Sequence, residues 1–398
     1  MSEATRVATR QEPNSSTLYF GPWYRKSPYF EATLRHGCSA YDIYNHMYLP
    51  SYFHDPIEEY WHLLKHVTIW DVAVERIVEI TGRDAFAFTN SLTCRDLDRC
   101  AVGQCKYAPI IDEKGGIIND PVLLRLGENH LWLALADSDV LLWAKGAALN
   151  SGLKVEIKEP DVAPIQIQGP DSKLVMEALF GDGLRGLKYY YCMETKLGDI
   201  PVVVSRTGWT AEVGYEIYLR DGSRGDDLWE RVMTAGKQFQ IMPIAPCEAR
   251  RIEAGIFNYG SDMRLENNPF EVTGLERLVE LDAKGDFIGK KALERIKAEG
   301  VKRKLVGIEL SGDALAAELV AYWPVFHDGK RVGHVTDAIY SPRLERNIGY
   351  AWVPVELAVV GTELDARAPA GALDARVANL PFIDPKKSIP QGKPVTAG

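Results

Sequence analysis

Residues 205–219, SRTGWTAEVGYEIYL, constrain the fold more than any other stretch of the chain. Two strand-forming runs, VVVSR at 202–206 and YEIYL at 215–219, flank a short bend rich in small residues. The spacing predicts an antiparallel hairpin. Glu216 and Tyr218 are two residues apart, so a strand points both to one face. Trp209 lies in the bend between the runs. An aromatic ring, a carboxylate and a phenol on one small structure can hold a flat, hydrogen-bonding heterocycle. The same composition also describes an ordinary edge hairpin.

With 398 residues the chain can bury a large core and is expected to divide into two or three domains. Its 46 Lys and Arg stand against 55 Asp and Glu, a net charge of −9. That balance argues against nucleic-acid binding, which needs a basic face. No apolar run reaches the roughly 18–20 residues of a membrane span. Residues 1–16 lack the apolar stretch of a secretory signal, so the expectation is a cytoplasmic protein in which the Asn14-Ser15-Ser16 sequon has no role. The six cysteines form no C-x-x-C pair and are expected as reduced core thiols.

The aromatic segment 17–30, TLYFGPWYRKSPYF, is expected to extend across the body of the protein. A helix is predicted over 55–67, with Asp55 as N-cap, Pro56 in the first turn and Ile57, Trp61 and Leu64 facing the core. RIVEI at 76–80 and HLWLALA at 130–136 read as strands, and 83–92 and the segment from Ser138 as helices. CKYAPII and IINDPVLLRL flank the turn 112–116, a second hairpin signal. From about 303 onward the pattern becomes short strands and turns, the mark of a separate small β-barrel. The alternation of sheet and helix before it argues an α+β fold.

Two short patterns carry little. Gly181-Asp-Gly183-Leu-Arg-Gly186 matches G-x-G-x-x-G, but a helix-like run precedes it where a dinucleotide site needs a strand, so a helix C-cap and loop is expected. His62 and His66 have metal-ligand spacing without a third ligand and read as a polar helix face.

The hairpin block resembles the RTGYTGEDGFE signature of the glycine-cleavage T-protein family, and RIEAG with NYGSDM (251–255, 258–263) resembles its RLEAG and YGxDM runs. The resemblance covers roughly residues 40–385 and is closest to the dimethylsulfoniopropionate demethylase branch. There it rests on YNH and LP at 44–50, IWDVA-ER at 69–76, LTCRDL at 92–97, NDPV at 119–122, ADSD at 136–139 and GYEIY at 214–218. It implies a three-domain cloverleaf: an arm at 1–35, two interleaved antiparallel-sheet and helix subdomains over 36–300, a C-terminal barrel over 301–385, and a tail at 386–398. It further implies a folate-dependent one-carbon transferase with tetrahydrofolate as methyl acceptor and a small-molecule methyl donor. A homodimer stays open as its assembly.

Carried across by position, the resemblance assigns Asn119 and Asp120 to the reacting centre, where the T-proteins have two acidic residues. Asn cannot ionise, so aminomethyl transfer is expected to suffer more than direct methyl transfer, which asks mainly for positioning. Glu216 and Arg251 are assigned to the folate, with Tyr107, Trp209, Tyr189 and Tyr190 lining it. Ser138, Tyr218 and Trp209 are assigned to the donor, the aromatic rings serving as π faces for a cation, and Tyr218 is also a candidate catalytic group. Tyr189 and Tyr190 read equally as strand aromatics and Arg251 as an ion-pair residue. The demethylase SGWSKQGG hairpin is TGWTAEVG here, so Ala211 and Glu212 replace a Lys-Gln pair. That alters the local charge and leaves the donor open. The readings are a sulfonium or quaternary ammonium demethylase, an O-demethylase using a tyrosine acid with the aromatic arm closing over a ring, or a non-catalytic folate-binding protein.

Overall fold

The computed structural model describes residues 21–315 and 319–393. Two sheets packed face to face form its centre. One is five-stranded and antiparallel, in the order Glu156–Lys158, Ile77–Thr81, His130–Ala134, Val122–Gly127, Cys105–Tyr107. The other is six-stranded: Cys192–Leu197, Ile200–Ser205, Gly214–Leu219, Ala163–Gln168, Thr68–Asp71 and Met242–Pro243, the last pairing in parallel. Ile77, Leu124 and Trp132 of the first sheet meet Val203 and Tyr218 of the second in a shared apolar layer.

Helices cover the outer faces. Phe88, Leu92, Val140 and Ala144 close the five-stranded sheet. Val175, Met176, Leu228, Trp229 and Val232 close the six-stranded one. Burial on both faces explains why Ile200–Ser205 and Gly214–Leu219 are apolar nearly throughout instead of alternating. Six strands between Arg303 and Ala378 close into the C-terminal barrel, which leaves no free sheet edge.

The hairpin of Ile200–Ser205 and Gly214–Leu219 is antiparallel, with Ser205 opposite Glu216. Its bend is braced from inside by Gln168. That side chain accepts from Thr210 Oγ1 at 2.7 Å and donates to the carbonyls of Thr207 and Tyr215 at 3.3 Å. A Cβ on Gly208 or Gly214 would stand 2.3 and 2.2 Å from it, so both glycines are there to let Gln168 through.

The helix Pro56–Lys65 begins as its sequence requires, the Asp55 carboxylate accepting from the backbone N–H groups of Ile57 and Glu58. Its fully buried residues are Glu59, Tyr60 and Leu63; of the expected core-facing residues, Trp61 and Leu64 are half-buried and pack against the core beside them, and Ile57 is half-buried in the first turn. Two polar anchors hold it: Tyr60 donates to Glu253 Oε1 at 2.6 Å, and Glu59 accepts from the N–H groups of His54 and Ala245. Gly181 has a left-handed backbone at the end of helix Ser172–Phe180 and opens a 3-10 turn. All six cysteines are free thiols. Of the aromatic segment, 17–20 fall outside the described residues. Within the rest, Ser27 hydrogen-bonds the buried Asp71, and Tyr29 donates to the carbonyl of Ala163 at 2.8 Å. Among the described residues no helix is long and apolar enough to cross a membrane.

Candidate active site

A cavity of about 900 Å³ opens where the two sheets and the barrel meet. The six-stranded sheet contributes Gln166 and Glu216, the five-stranded sheet Tyr107, Val122 and Ala134, and the barrel Thr336 and Asp337. A bulge between Val335 and Asp337 lets the barrel strand turn Asp337 inward.

Glu216 stands opposite Gln166 on the neighbouring strand. Its Oε1 accepts from Gln166 Nε2 at 2.8 Å; Oε2 accepts from Ser205 Oγ at 3.2 Å, from Tyr218 OH at 2.7 Å and from Thr207. The other Gln166 N–H reaches Glu75 Oε1 at 3.2 Å, so one amide bridges two carboxylates in the cavity wall. Burial, and then the charge of Glu216, pushes the Glu75 carboxyl well above its usual range.

Asp120 lines the cavity from the end of strand Ile117–Asn119. Tyr107 OH donates to its Oδ2 at 2.7 Å, while Oδ1 is buried without a hydrogen-bond partner. Burial pushes the Asp120 carboxyl up to about 7, and the Tyr107 hydrogen bond offsets this only in part. Trp209, Tyr189 and Tyr190 also line the cavity, the two tyrosines edge-on with ring centroids 4.9 Å apart.

Four of the expected site residues lie elsewhere. Asn119 is fully buried and turned away: its amide donates to the Ala136 carbonyl at 3.0 Å and Ser138 Oγ at 2.8 Å, and its Oδ1 accepts from Ala136 N–H at 3.1 Å. Because alternate residues on a strand face opposite ways, Asp120 takes the cavity side and Asn119 the core side. Ser138 is committed to Asn119 and to the Ile118 carbonyl at 2.6 Å. Tyr218 sits wholly buried in the layer between the sheets, 6.1 Å from Trp132, and reaches the cavity only through Glu216. The expectation that it touches donor or reacting atoms is corrected: the phenol supports Glu216 from behind.

Arg251 is likewise buried outside the cavity lining. It donates to Glu248 at 2.5 Å, Asp262 at 2.8 Å, the Ile256 carbonyl at 3.1 Å and Asp337. Its guanidinium lies 5.5 Å from the Trp209 ring. This is the ion-pair reading of Arg251: it ties the barrel to the hairpin and fixes one aromatic wall. Glu212 is held by its neighbour Arg250, which donates to it at 2.8 Å and to the Ala211 carbonyl at 3.1 Å. Only Ala211 faces the cavity. The hairpin therefore presents no lysine there, and the Glu212 charge is spent on Arg250.

Sequence reasoning missed Glu75, Gln166 and Asp337. Glu75 lies inside the IWDVA-ER run, where its spacing carried no sign of a site. Gln166 joins Glu216 across 50 residues.

Residues 29–283 match the GCVT N-terminal domain and residues 303–384 the glycine cleavage T-protein C-terminal barrel domain. The chain belongs to the glycine cleavage T-protein family. As a member it is a tetrahydrofolate-dependent one-carbon transferase. Within the T-protein family it is 35% identical over 347 residues to the dimethylsulfoniopropionate demethylase DmdA of Ruegeria pomeroyi, covering 87% of this chain and 94% of that one. It is 30% identical over 358 residues to the aminomethyltransferase of Desulfitobacterium hafniense strain DCB-2, covering 89% and 96%. The fold is shared with the glycine cleavage system aminomethyltransferase T of Bartonella henselae, with a TM-score of 0.80 at 22% identity, over 90% of this chain and 98% of that one. The three-domain α+β T-protein architecture with its closed barrel is thus the fold of this chain.

Proposed function

We propose that the protein is a demethylase that moves a methyl group from a small cationic donor, a sulfonium or betaine-type compound, to N5 of tetrahydrofolate, giving 5-methyltetrahydrofolate. The reading rests most on Asp120, a buried carboxyl with one oxygen unpartnered at a cavity walled by aromatic rings. Folate supplies the nucleophilic nitrogen. Glu216, held by four donors, keeps Oε1, which has the single partner Gln166, aligned for an N–H group of a pterin edge, and Tyr107, Tyr189, Tyr190 and Trp209 supply faces for its rings.

An onium donor leaves as a neutral sulfide or amine, so the leaving group needs no acid. The methylated nitrogen must shed one proton, and Asp120 accepts it. The carboxylates of Asp120 and Glu216 beside aromatic faces suit a cation in the same space. Asn119 lies outside the cavity, so its replacement of an acidic residue is no argument against aminomethyl transfer. The demethylase reading leans on overall similarity and on the cavity's charge.

Asp120 also favours a second reading. A carboxyl titrating near 7 can protonate an alkoxide or phenoxide, which a methyl ether donor would demand. The third reading, a non-catalytic folate binder, is disfavoured because the buried, half-partnered carboxyl of Asp120 would then have no use.

Anaerobic incubation of the protein with tetrahydrofolate and dimethylsulfoniopropionate, betaines or methoxyaromatics, followed by mass spectrometry of 5-methyltetrahydrofolate, tests all three. Product from an onium donor is the expected result. Product only from a methoxyaromatic would replace it with the ether reading. Bound folate without product from any donor would overturn methyl transfer.

A further inference from the structure

The cavity has a wall that the folate reading does not use. The hairpin of strands Ala40–Tyr44 and Met47–Tyr52 contributes Tyr44 to it, and the loop after helix Glu248–Glu253 contributes Asn258. Asn45 and His46 close the hairpin in a two-residue turn with left-handed backbones, φ 48° and 64°. The turn is tied down from several sides. Asn45 N–H donates to Asp137 Oδ1 at 3.1 Å, and Asn45 Nδ2 donates to the Val74 carbonyl at 2.9 Å. In the arm, Arg25 N–H donates to the His46 carbonyl at 3.1 Å, and the Arg25 carbonyl accepts from Tyr48 N–H at 3.0 Å. Arg25 precedes the family's N-terminal domain, which begins at 29. The arm splints the hairpin, and the hairpin holds Tyr44 in place.

Tyr44 OH accepts from Asp137 N–H at 3.1 Å. Its own proton is left for Asn258 Oδ1, 3.3 Å away. That bond settles which way the Asn258 amide points: Oδ1 toward Tyr44, Nδ2 toward the cavity. The Asn258 backbone is fixed independently. Its N–H donates to Asp262 Oδ2 at 2.8 Å, and its carbonyl accepts from Asp262 N–H at 2.9 Å. Asp262 is anchored in turn by Arg251 and by Thr336, each at 2.8 Å. Among the described residues no hydrogen bond uses Asn258 Nδ2. Two uncommitted N–H groups on a rigid support form a preorganised site for an acceptor oxygen.

The place of this site follows from Asp120. Burial, and then the charge of Asp120, pushes the phenols of Tyr44 and Tyr259 up, so both neighbours of Asn258 feel the reacting carboxyl. Glu216, the pterin anchor on the reading above, is bound only within the six-stranded sheet and its bend. Asn258 stands one position ahead of the YGxDM run, so the family motif assigns it nothing. A neutral amide also suits the wall of a cation site, because it donates hydrogen bonds without adding a positive charge that would repel an onium centre. We propose that Asn258 is a specificity residue for the methyl donor, its amide N–H groups binding a carboxylate oxygen of the onium compound, and that Tyr44 is the positioning residue that turns them inward. The assignment rests on the onium-demethylase reading.

The test compares dimethylsulfoniopropionate with trimethylsulfonium, an onium centre that lacks the carboxylate. Kd is measured by calorimetry and KM with tetrahydrofolate, in the wild type, Asn258→Ala, Asn258→Asp, Tyr44→Phe and Tyr44→Phe/Asn258→Ala. Thermal melts check that each variant is folded. The wild type is expected to favour the carboxylate-bearing donor by about 10–100-fold. Asn258→Ala lowers that ratio about tenfold. Asn258→Asp keeps the shape and still accepts from Tyr44, yet lowers the ratio further, because its carboxylate repels the acid and attracts the bare cation. Tyr44→Phe lowers the ratio by a few-fold and adds nothing to it in the double variant, which a merely structural tyrosine would not obey.

Equal affinity for the two cations in the wild type, or Asn258 variants that weaken both alike, overturns the proposal. So does a Kd for tetrahydrofolate that rises in the Asn258 variants while donor Kd stays put, which would assign this wall to folate. A Tyr44→Phe effect that persists in the double variant removes Tyr44 from the site. Selective binding without methyl transfer leaves the site standing and sinks the demethylase reading alone. Failure of both cations to bind or react sinks the two together.

Discussion

Tyr107 OH donates to Asp120 Oδ2 at 2.7 Å and leaves Oδ1 without a partner. The phenol orients the carboxyl while burial holds its pKa near 7. For an onium donor the working form is the carboxylate. kcat/KM is then expected to rise with pH through a limb near 7. Asp120→Asn abolishes the limb and lowers kcat by about 10²–10⁴-fold. An ether donor requires the acid form, and its limb falls over the same interval. A pH-rate profile of wild type and variant reads the difference.

The same group sets a stability trend. Its folded pKa, about 7, lies above that of an unfolded aspartate, so the folded state holds the proton more tightly. The associated stability is present below the unfolded value and lost as pH rises through about 7. Asp120→Asn removes that loss. Its Tm is expected to gain on the wild type as pH is raised from 4 to 8, and melts across that range check it; a constant offset would mean that Asp120 does not titrate there.

Glu216 gathers Gln166, Ser205, Thr207 and Tyr218. Glu216→Gln turns one acceptor into a donor facing donors. Folate Kd is expected to rise about 10–100-fold, with donor KM changed far less. Tyr218→Phe removes one of the four bonds from behind and gives a milder rise, with kcat retained. Titration of folate against both variants decides it. Unchanged affinity in Glu216→Gln would remove Glu216 from the pterin site.

Asn119 offers a converse case. Its amide donates to the Ala136 carbonyl and Ser138 Oγ. Asn119→Asp sets a carboxylate against a carbonyl oxygen. The expected loss is about 1–3 kcal/mol of stability, seen as a lowered Tm. Below the transition, kcat is expected to stay within a few-fold of wild type. A large fall in kcat in well-folded protein would return Asn119 to the reacting centre.

Much of the architecture is legible because its signals are local. The hairpin turns, the Asp55 cap and the switch to short strands near 303 depend on neighbours within a few residues. The site is less so. Asn119 and Asp120 are adjacent, and the choice of which one meets the cavity is made by strand pleat and register, which a motif does not contain. Gln166 and Glu75 join Glu216 only after the strands of the six-stranded sheet pair. Arg251 has the composition of a ligand contact, yet Asp262 and Asp337 claim it from a loop and from the barrel.

Glu212 and Arg250 form the remaining test. Arg250 is wholly buried and Glu212 nearly so, 2.8 Å apart. Burial raises the Glu212 carboxyl, and Arg250 pulls it back only in part. Removing Arg250 strands the Glu212 charge, a loss of about 3–5 kcal/mol, whereas Arg250 without Glu212 keeps the buried Glu253 carboxylate at 3.7 Å and one unmet N–H group. Arg250→Met is expected to destabilise strongly and Glu212→Gln less, and the double variant by less than their sum, giving a favourable coupling in a double-mutant cycle. The substrate consequence separates this role from a specificity role. Glu212 points at Arg250, so Glu212→Gln is expected to shift all donors together through a loosened hairpin and keep their order. Ala211→Lys adds a cation to the cavity wall itself and is expected to favour donors bearing a carboxylate. A changed donor order in Glu212→Gln, with none in Ala211→Lys, would mean that the carboxylate reaches the substrate after all.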